Sequence, residues 1–299
     1  MTGAERGFLL LTSCLGNPQR KPLTTAQFRT LTDRMRRESL SPENRELDIQ
    51  DLVSLGYNRI MAQRILDLLS EEDLLEHYLR RGEKAGCVPL TRITPVYPLL
   101  LHKRLGMEAP GCLWVRGDVS LLREPAVSLV GSRDLLEENR IFAAEVGRQA
   151  ARQGYVLISG NARGADKTAQ ESCLATGGKV ICVVADELTK HPVCERVLYI
   201  SEDSFDSEFS SQRALSRNRV IHSLGLYTFV AQARHGMGGT WDGTVKNLKY
   251  QWSPVFCFAD GSEACEELTN MGASPVAIRE LSSIYDLKPN QDNFLTADN

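Results

Sequence analysis

Four short stretches of this chain combine glycine with arginine or hydroxyl side chains. They are Gly131-Ser132-Arg133, Ser159-Gly160-Asn-Ala-Arg163-Gly164-Ala-Asp166, Ser216-Arg217-Asn218-Arg219-Val-Ile221 and Gly236-Met-Gly238-Gly239-Thr240. The chemistry such residues share is anion binding. Glycine lets a backbone approach closely, and unpaired N–H groups at a helix start carry partial positive charge. Arginine adds a planar fork that fits phosphate. The second stretch is the most explicit. An apolar strand at residues 155–158 runs into small residues, and a helix is expected to begin near Asp166, which makes the turn a natural anion site. Arg163 supplies a charged donor inside that turn, and Asp166 is expected to be the cap of the helix. In the third stretch, two arginines flank an asparagine, a grouping able to clamp phosphate and read a base edge. The fourth is a second glycine-rich cradle.

The elements that must position these stretches follow from the apolar pattern. From residue 126 onward, short apolar runs fall at 126–130, 155–158, 180–184, 226–231 and 255–258. Helical segments such as 137–153 and 168–176 separate them. Continuous apolar strands with helical crossovers imply a parallel sheet buried on both faces. The expected fold is therefore α/β, a Rossmann-like doubly wound parallel sheet (an extended Rossmann fold), with ligands at the carboxyl ends of its strands. The four stretches then share one sheet edge. Their convergence points to a phosphate-containing ligand.

Upstream the pattern is helical, with amphipathic segments near 25–35 and 45–69. Asp51-Leu-Val-Ser-Leu-Gly-Tyr57 reads as a helix, a glycine turn and the start of a second helix. That is the outline of a small SAM-like or helix-hairpin-helix-like domain, and equally of a plain helical bundle. Prolines 89, 95, 98, 110 and 125 interrupt residues 86–125, as expected of an extended connector with one short strand near 113–115. The expected organisation is a helical domain over 1–85, the connector over 86–125, the Rossmann-like domain over 126–265 and a C-terminal tail over 266–299. Within the tail, 275–284 is expected to form one short helix and 288–299 to be polar and mobile.

Composition narrows the function classes. A net charge of −3 gives no global basic field, so a nucleic-acid partner would need a local patch. No apolar run is long enough for a bilayer, and 8–12 is too short and lacks a signal-peptide cleavage pattern, so no membrane partner is expected. The eight cysteines show no CxxC pair. That speaks against a zinc site or disulfide framework and for reduced thiols in a cytoplasm. Cys182 and Cys257 lie in apolar runs, as buried small hydrophobes do. His191, His222 and His235 are candidate acid/base groups, because imidazole as a side-chain type titrates near neutrality, but they lack an adjacent carboxylate or nucleophile at diagnostic spacing. No catalytic residue, metal site or cofactor is expected.

In this order, these residues resemble the DNA-processing protein A (DprA/Smf) family. The match includes Val130-Gly-Ser-Arg133, residues 159–166, Gly177-Gly178 before a strand, Ser207-Glu208, Arg217-Asn-Arg-Val-Ile221 and Gly238-Gly-Thr240. Upstream, Ile93, Tyr97-Pro98, Leu101, Ala109-Pro110, Leu113-Trp114 and Gly117-Asp118 also fit. The resemblance implies a helical module before an extended Rossmann fold and binding and protection of single-stranded DNA. It further implies loading of a RecA-type recombinase in natural transformation, a homodimer and no catalysis. Arg133, Arg163, Arg217 and Arg219 would meet phosphates or bases. Several positions depart from the pattern: Glu138-Asn139, Glu187, Ala214-Leu215, Gln232-Ala233 and Met237 stand where the family usually has other residues. Two other readings compete. One is a nucleotide-sensing Rossmann-like domain. The other is a phosphoribohydrolase of the LOG type, whose glutamate after the glycine loop is replaced here by Gly243.

Overall fold

The computed structural model describes residues 1–38, 47–202 and 204–290. The chain divides into two compact units, Met1–Tyr97 with Pro110–Trp114, and Pro98–Ala109 with Val115–Asn299.

Among its described residues the first unit holds five helices: α1 (Gly3–Thr12), α2 (Thr25–Arg37), α3 (Ile49–Ser54), α4 (Arg59–Ser70) and α5 (Glu72–Lys84). Capping boxes at Thr2, Thr24 and Asp48 start α1, α2 and α3 by satisfying N–H groups that have no intrahelical partner. Leu31, Leu52, Ala62 and Ile65 form its core, each at most 1% exposed. Gly56, at φ +86°, makes the turn between α3 and α4. The expected segment 45–69 is thus two helices, and its first residues lie outside the described ones. The unit also holds strand β1 (Val88–Thr91) and the first residues of β2 (Cys112–Gly117).

The second unit begins with α6 (Leu99–Leu105) and then alternates. Its elements are β3 (Ala126–Val130), α7 (Glu137–Arg152), β4 (Val156–Ser159), α8 (Ala165–Ala175), β5 (Lys179–Val183) and β6 (Val197–Ser201). After these come α9 (Ser211–Ser216), α10 (Asn218–Leu224), β7 (Thr228–Val230), α11 (Gly238–Tyr250), β8 (Val255–Phe258), α12 (Glu263–Asn270) and β9 (Ser274–Val276). Within the unit the strands lie side by side as β6-β5-β4-β3-β7-β8-β9. Every pairing is parallel. Strands β3, β4, β6, β7 and β8 are buried along their whole length, as a sheet covered on both faces requires. The order runs outward from β3 in one direction and resumes at β7 in the other. The switch point of this doubly wound sheet lies between these two strands.

In the second unit, two strands escaped the sequence reading. Strand β6 is a five-residue run behind a proline and two charged residues. Strand β9 contains Pro275, which reads as a breaker but is compatible with a sheet edge, where β9 sits. Residues 266–290 are therefore not a tail. They finish α12, add β9 and a 3-10 turn (Ile278–Ser283), and close with Asn290, whose side chain donates to Ala273 O at 3.0 Å. Residues 291–299 of the expected tail lie outside the described ones. The expected short helix at 275–284 is part strand and part 3-10 turn, held to α7 by Gln153, which donates to Leu281 O at 2.8 Å. The expected connector also carries more structure than one strand: β1, α6, β2 and a 3-10 turn (Val119–Arg123). Among the described residues, no helix is long and apolar enough to cross a membrane.

Candidate functional site

The loops after β3 and β7 flank the switch point and open a cleft of about 400 Å3. All four predicted stretches contribute to its lining, through Gly131-Ser132-Arg133, Ala162 and Asp166, Arg217-Asn218, and Gly238-Gly239-Thr240. The convergence expected from sequence is present. The roles within it differ from those expected.

The loop after β4 is organised inward. Asp166 accepts from the N–H groups of Gly160 and Ala162, both at 3.1 Å. Two backbone donors at this turn are therefore engaged by the chain's own carboxylate and not open to an external anion. Helix α8 begins at Ala165 with Gly164 in the cap position, so Asp166 is not the helix cap. A capping side chain sits before the first turn and reaches forward. Asp166 sits inside that turn and reaches back. Gly164 adopts φ +81°, and a Cβ there would lie 2.4–2.5 Å from the carbonyl oxygens of Arg133 and Ser132. Only glycine fits both constraints. Ala165 N–H donates to Ser132 O at 3.1 Å, which ties the first loop to the second. Ser132 Oγ in turn accepts from Asp134 N–H at 3.2 Å, and buried Ser159 accepts from Gln170.

The Arg217-Asn218-Arg219 stretch is not a loop but the joint between α9 and α10. Arg217 is 8% exposed. Its Nη2 donates to Gly160 O at 3.1 Å and its Nη1 to Asn218 Oδ1 at 2.9 Å. The guanidinium fills the space beside Gly160, where a Cβ would lie 2.0–2.1 Å from it. Burial pushes the Asp166 carboxyl above its ordinary range, opposed by the charge of Arg217 and by the two amide donors. Burial pulls Arg217 down, and Asp166 opposes that shift as well. Asn218 Nδ2 donates to Gly239 O at 2.9 Å, so this amide fastens α10 to the start of α11 instead of facing a base. Arg219 is also engaged. It pairs with Glu202 at 2.6 Å and donates to Ser216 O at 2.9 Å and Glu108 O at 3.2 Å.

The exposed charges of the cleft lie elsewhere. Arg133 and Arg163 face solvent. Arg163 lies 3.5 Å from Asp134 with three quarters of its side chain exposed. Arg234 joins them, 3.7 Å from the same carboxylate and two thirds exposed. Sequence reading missed Arg234. Its place four residues after β7, just before the glycine run, could have flagged it. At the fourth loop, Gly238 starts α11, and Met237 and Leu215 expose apolar surface to the cleft.

The fold also gives two histidines the carboxylates that sequence spacing did not reveal. His191 Nε2 lies 2.8 Å from Asp186, and His235 Nδ1 lies 2.9 Å from Glu263. Neither lines the cleft. His222 is fully buried beside Asn247, 3.1 Å away. Burial, aided by Arg217, pulls its imidazole down to about 3. Among the described residues, no group of His, Cys, Asp or Glu could hold a metal ion.

Comparison with known proteins gives a consistent pattern. A family model for "DNA recombination-mediator protein A" matches residues 89–286. The chain is 30% identical over 184 residues to the DNA processing protein DprA of Streptococcus pneumoniae, covering 56% of this chain and 64% of that protein. It is 27% identical over 195 residues to protein Smf of Synechocystis, covering 60% and 48%. It thus spans between about half and two thirds of the length of these curated relatives. The X-ray structure of S. pneumoniae DprA superposes with a TM-score of 0.65 at 22% identity, over 89% of this chain and 99% of that one. A Helicobacter pylori DprA structure, described for its single-stranded DNA binding mode, gives 0.54 at 23% identity, over 65% and 92%.

Proposed function

The chain belongs to the DNA recombination-mediator protein A family, and on that premise we propose that it binds single-stranded DNA along the carboxyl edge of the second unit, without chemical turnover. One observation carries the reading. The loops after β3, β4 and β7 meet at a single cleft lined by exposed Arg133 and Arg234, and exposed Arg163 stands beside it against Asp134. Several separate guanidinium groups suit a strand with successive phosphates better than one small anion. Arg217, Asn218, Arg219 and Asp166 serve as struts that hold the loops, and Gly131, Gly160 and Gly164 make room for them. Gly238-Gly239-Thr240 places the start of α11 against the strand. Exposed Leu215 and Met237 offer apolar surface to bases.

Family membership extends the proposal further. The chain acts in DNA uptake and recombination in the cytoplasm, as a homodimer that loads a RecA-type recombinase. The decisive experiment is an anisotropy titration with single-stranded DNA, duplex and mononucleotides at two salt concentrations. Single strands should bind best, and affinity should fall steeply with salt. Failure to bind single strands at low salt rejects the reading. A recombinase-filament assay on strands coated with single-strand-binding protein tests the loading role separately.

A nucleotide-sensing role keeps one observation in its favour. The cleft volume lies within the roughly 300–1,000 Å3 typical of small-molecule pockets. Thermal stabilisation by a nucleotide and not by an oligonucleotide would favour it. The phosphoribohydrolase reading finds little support. Gly243 stands where its glutamate would be, and a Cβ there would lie 3.2 Å from His222 Nε2 and 3.3 Å from Asn218 Cβ, so a side chain would require these neighbours to shift. Release of base from a nucleoside monophosphate would revive it.

A further inference from the structure

Eight cysteines are free, and two of them touch. Cys257 on β8 and Cys265 on α12 place their sulfurs 3.3 Å apart, closer than two sulfurs merely in contact. Both are buried, at 2% and 9% exposure. Thr269 closes the third side, with its Oγ1 3.7 Å from Cys257 Sγ and donating to Cys265 O at 2.8 Å. The other buried thiols behave as inert hydrophobes: burial pushes Cys173 up to about 11 and Cys182 up to about 12. Cys257 goes the other way. A hydrogen bond from Cys265 lowers its thiol below the ordinary value, outweighing burial, while Cys265 as the donor is raised. Two thiols in contact, one of them made more acidic by the other, are the arrangement that makes cysteine chemistry possible.

We propose that Cys257 and Cys265 are a reversible dithiol–disulfide pair, oxidised by small hydroperoxides, that clamps β8 to the first turn of α12. The steps balance with hydrogen peroxide as oxidant. The Cys257 thiolate attacks one peroxide oxygen, an S–O bond forms, the O–O bond breaks, and hydroxide leaves and takes up a proton as water. The product is a sulfenic acid on Cys257. The sulfur of Cys265 then attacks that sulfur, the S–S bond forms, the S–O bond breaks and a second water leaves. Two thiols and one peroxide yield one disulfide and two waters. A cellular dithiol reverses the change by exchange.

The pair sits where tightening would be felt. The turn between the two cysteines carries Asp260, which accepts from Asn139 at 2.7 Å, and Asn139 also donates to Ala231 O at the end of β7. Glu263, in the same turn of α12, contacts His235 in the loop after β7. The inference stands whether the cleft holds a strand or a nucleotide.

The test treats the full chain, with Cys14 and Cys194 replaced by serine, with a small excess of hydrogen peroxide. Peptide mapping should show residues 257 and 265 joined, with the intact mass lower by two hydrogens and restored by dithiothreitol. In Cys265→Ser, Cys257 should instead accumulate as a sulfenic acid trapped by dimedone. The mapping of the unsubstituted pair does not depend on how well that variant folds. Cys257 and Cys265 recovered as free thiols, or oxidised separately with no joined peptide, would overturn the proposal.

Discussion

The loop after β4 and the joint between α9 and α10 look alike in sequence. Each carries arginine among small polar residues and each arrives at the same cleft. In three dimensions they divide the work. Arg163 projects into solvent beside Asp134, whereas Arg217 lies against Gly160 and Arg219 is held by Glu202. What separates them is local. A glycine without a Cβ opens a slot for one guanidinium, and nearby carboxylates neutralise charges that would otherwise be too costly to bury. The outward arginines are free to meet a ligand. The inward ones set the shape that the ligand meets.

The largest expected effect tests the inward group. Arg217→Ala leaves Asp166 buried without its neighbouring positive charge and should cost on the order of 3 kcal/mol in denaturant unfolding. Gly160→Ala should also destabilise, because its Cβ would meet the guanidinium. The double variant should cost less than the sum, a coupling expected of residues in contact. If Arg217→Ala is as harmless as Arg133→Ala, the contrast between the two regions fails.

A pH titration sharpens the same contrast from beneath the joint. Native His222 stays neutral down to about 3, while the unfolded imidazole takes up its proton near 6.5. Between those values the unfolded state binds more protons. Stability should therefore rise with pH across that window and be lost as pH falls through it, by up to roughly 1.4 kcal/mol per unit. His222→Gln should flatten this part of the profile. An unchanged slope would mean that His222 is not held neutral.

The smallest change in stability belongs to the outward group. Arg133→Glu and Arg163→Glu should each alter unfolding by no more than about 0.5 kcal/mol. Each should nonetheless weaken single-stranded DNA binding and reduce the salt slope by about 0.7. Arg234→Glu should behave like them. Equal losses of affinity and stability would place these arginines among the struts.

The sheet was legible because its strands are continuous apolar runs. The runs at 126–130 and 255–258 match β3 and β8 residue for residue. The meeting of the four stretches at one edge was legible from their order relative to the strands. The direction of each side chain was not. Arg217 and Arg163 have the same local composition, and only the packing of α10 against the loop after β4 tells them apart. Asp166 looked like a cap because it stands near a helix start, but the start is set by Gly164 at positive φ. Strand β9 was hidden by its proline, and Arg234 by standing just ahead of the glycine run instead of within it.

That proline has a consequence for how copies of this chain can associate. Val276 turns its carbonyl to β8, accepting from Ala259 N–H at 3.1 Å, so the alternation of the strand turns the nitrogen of Pro275 to the outer side. A strand arriving from another molecule would find no donor at the middle of a three-residue edge, and would find Ala273 O already taken by Asn290. The edge is closed to sheet extension and hence to fibrous growth from that side. Self-association there must proceed through side-chain surfaces, which can be shaped for one partner and refuse others.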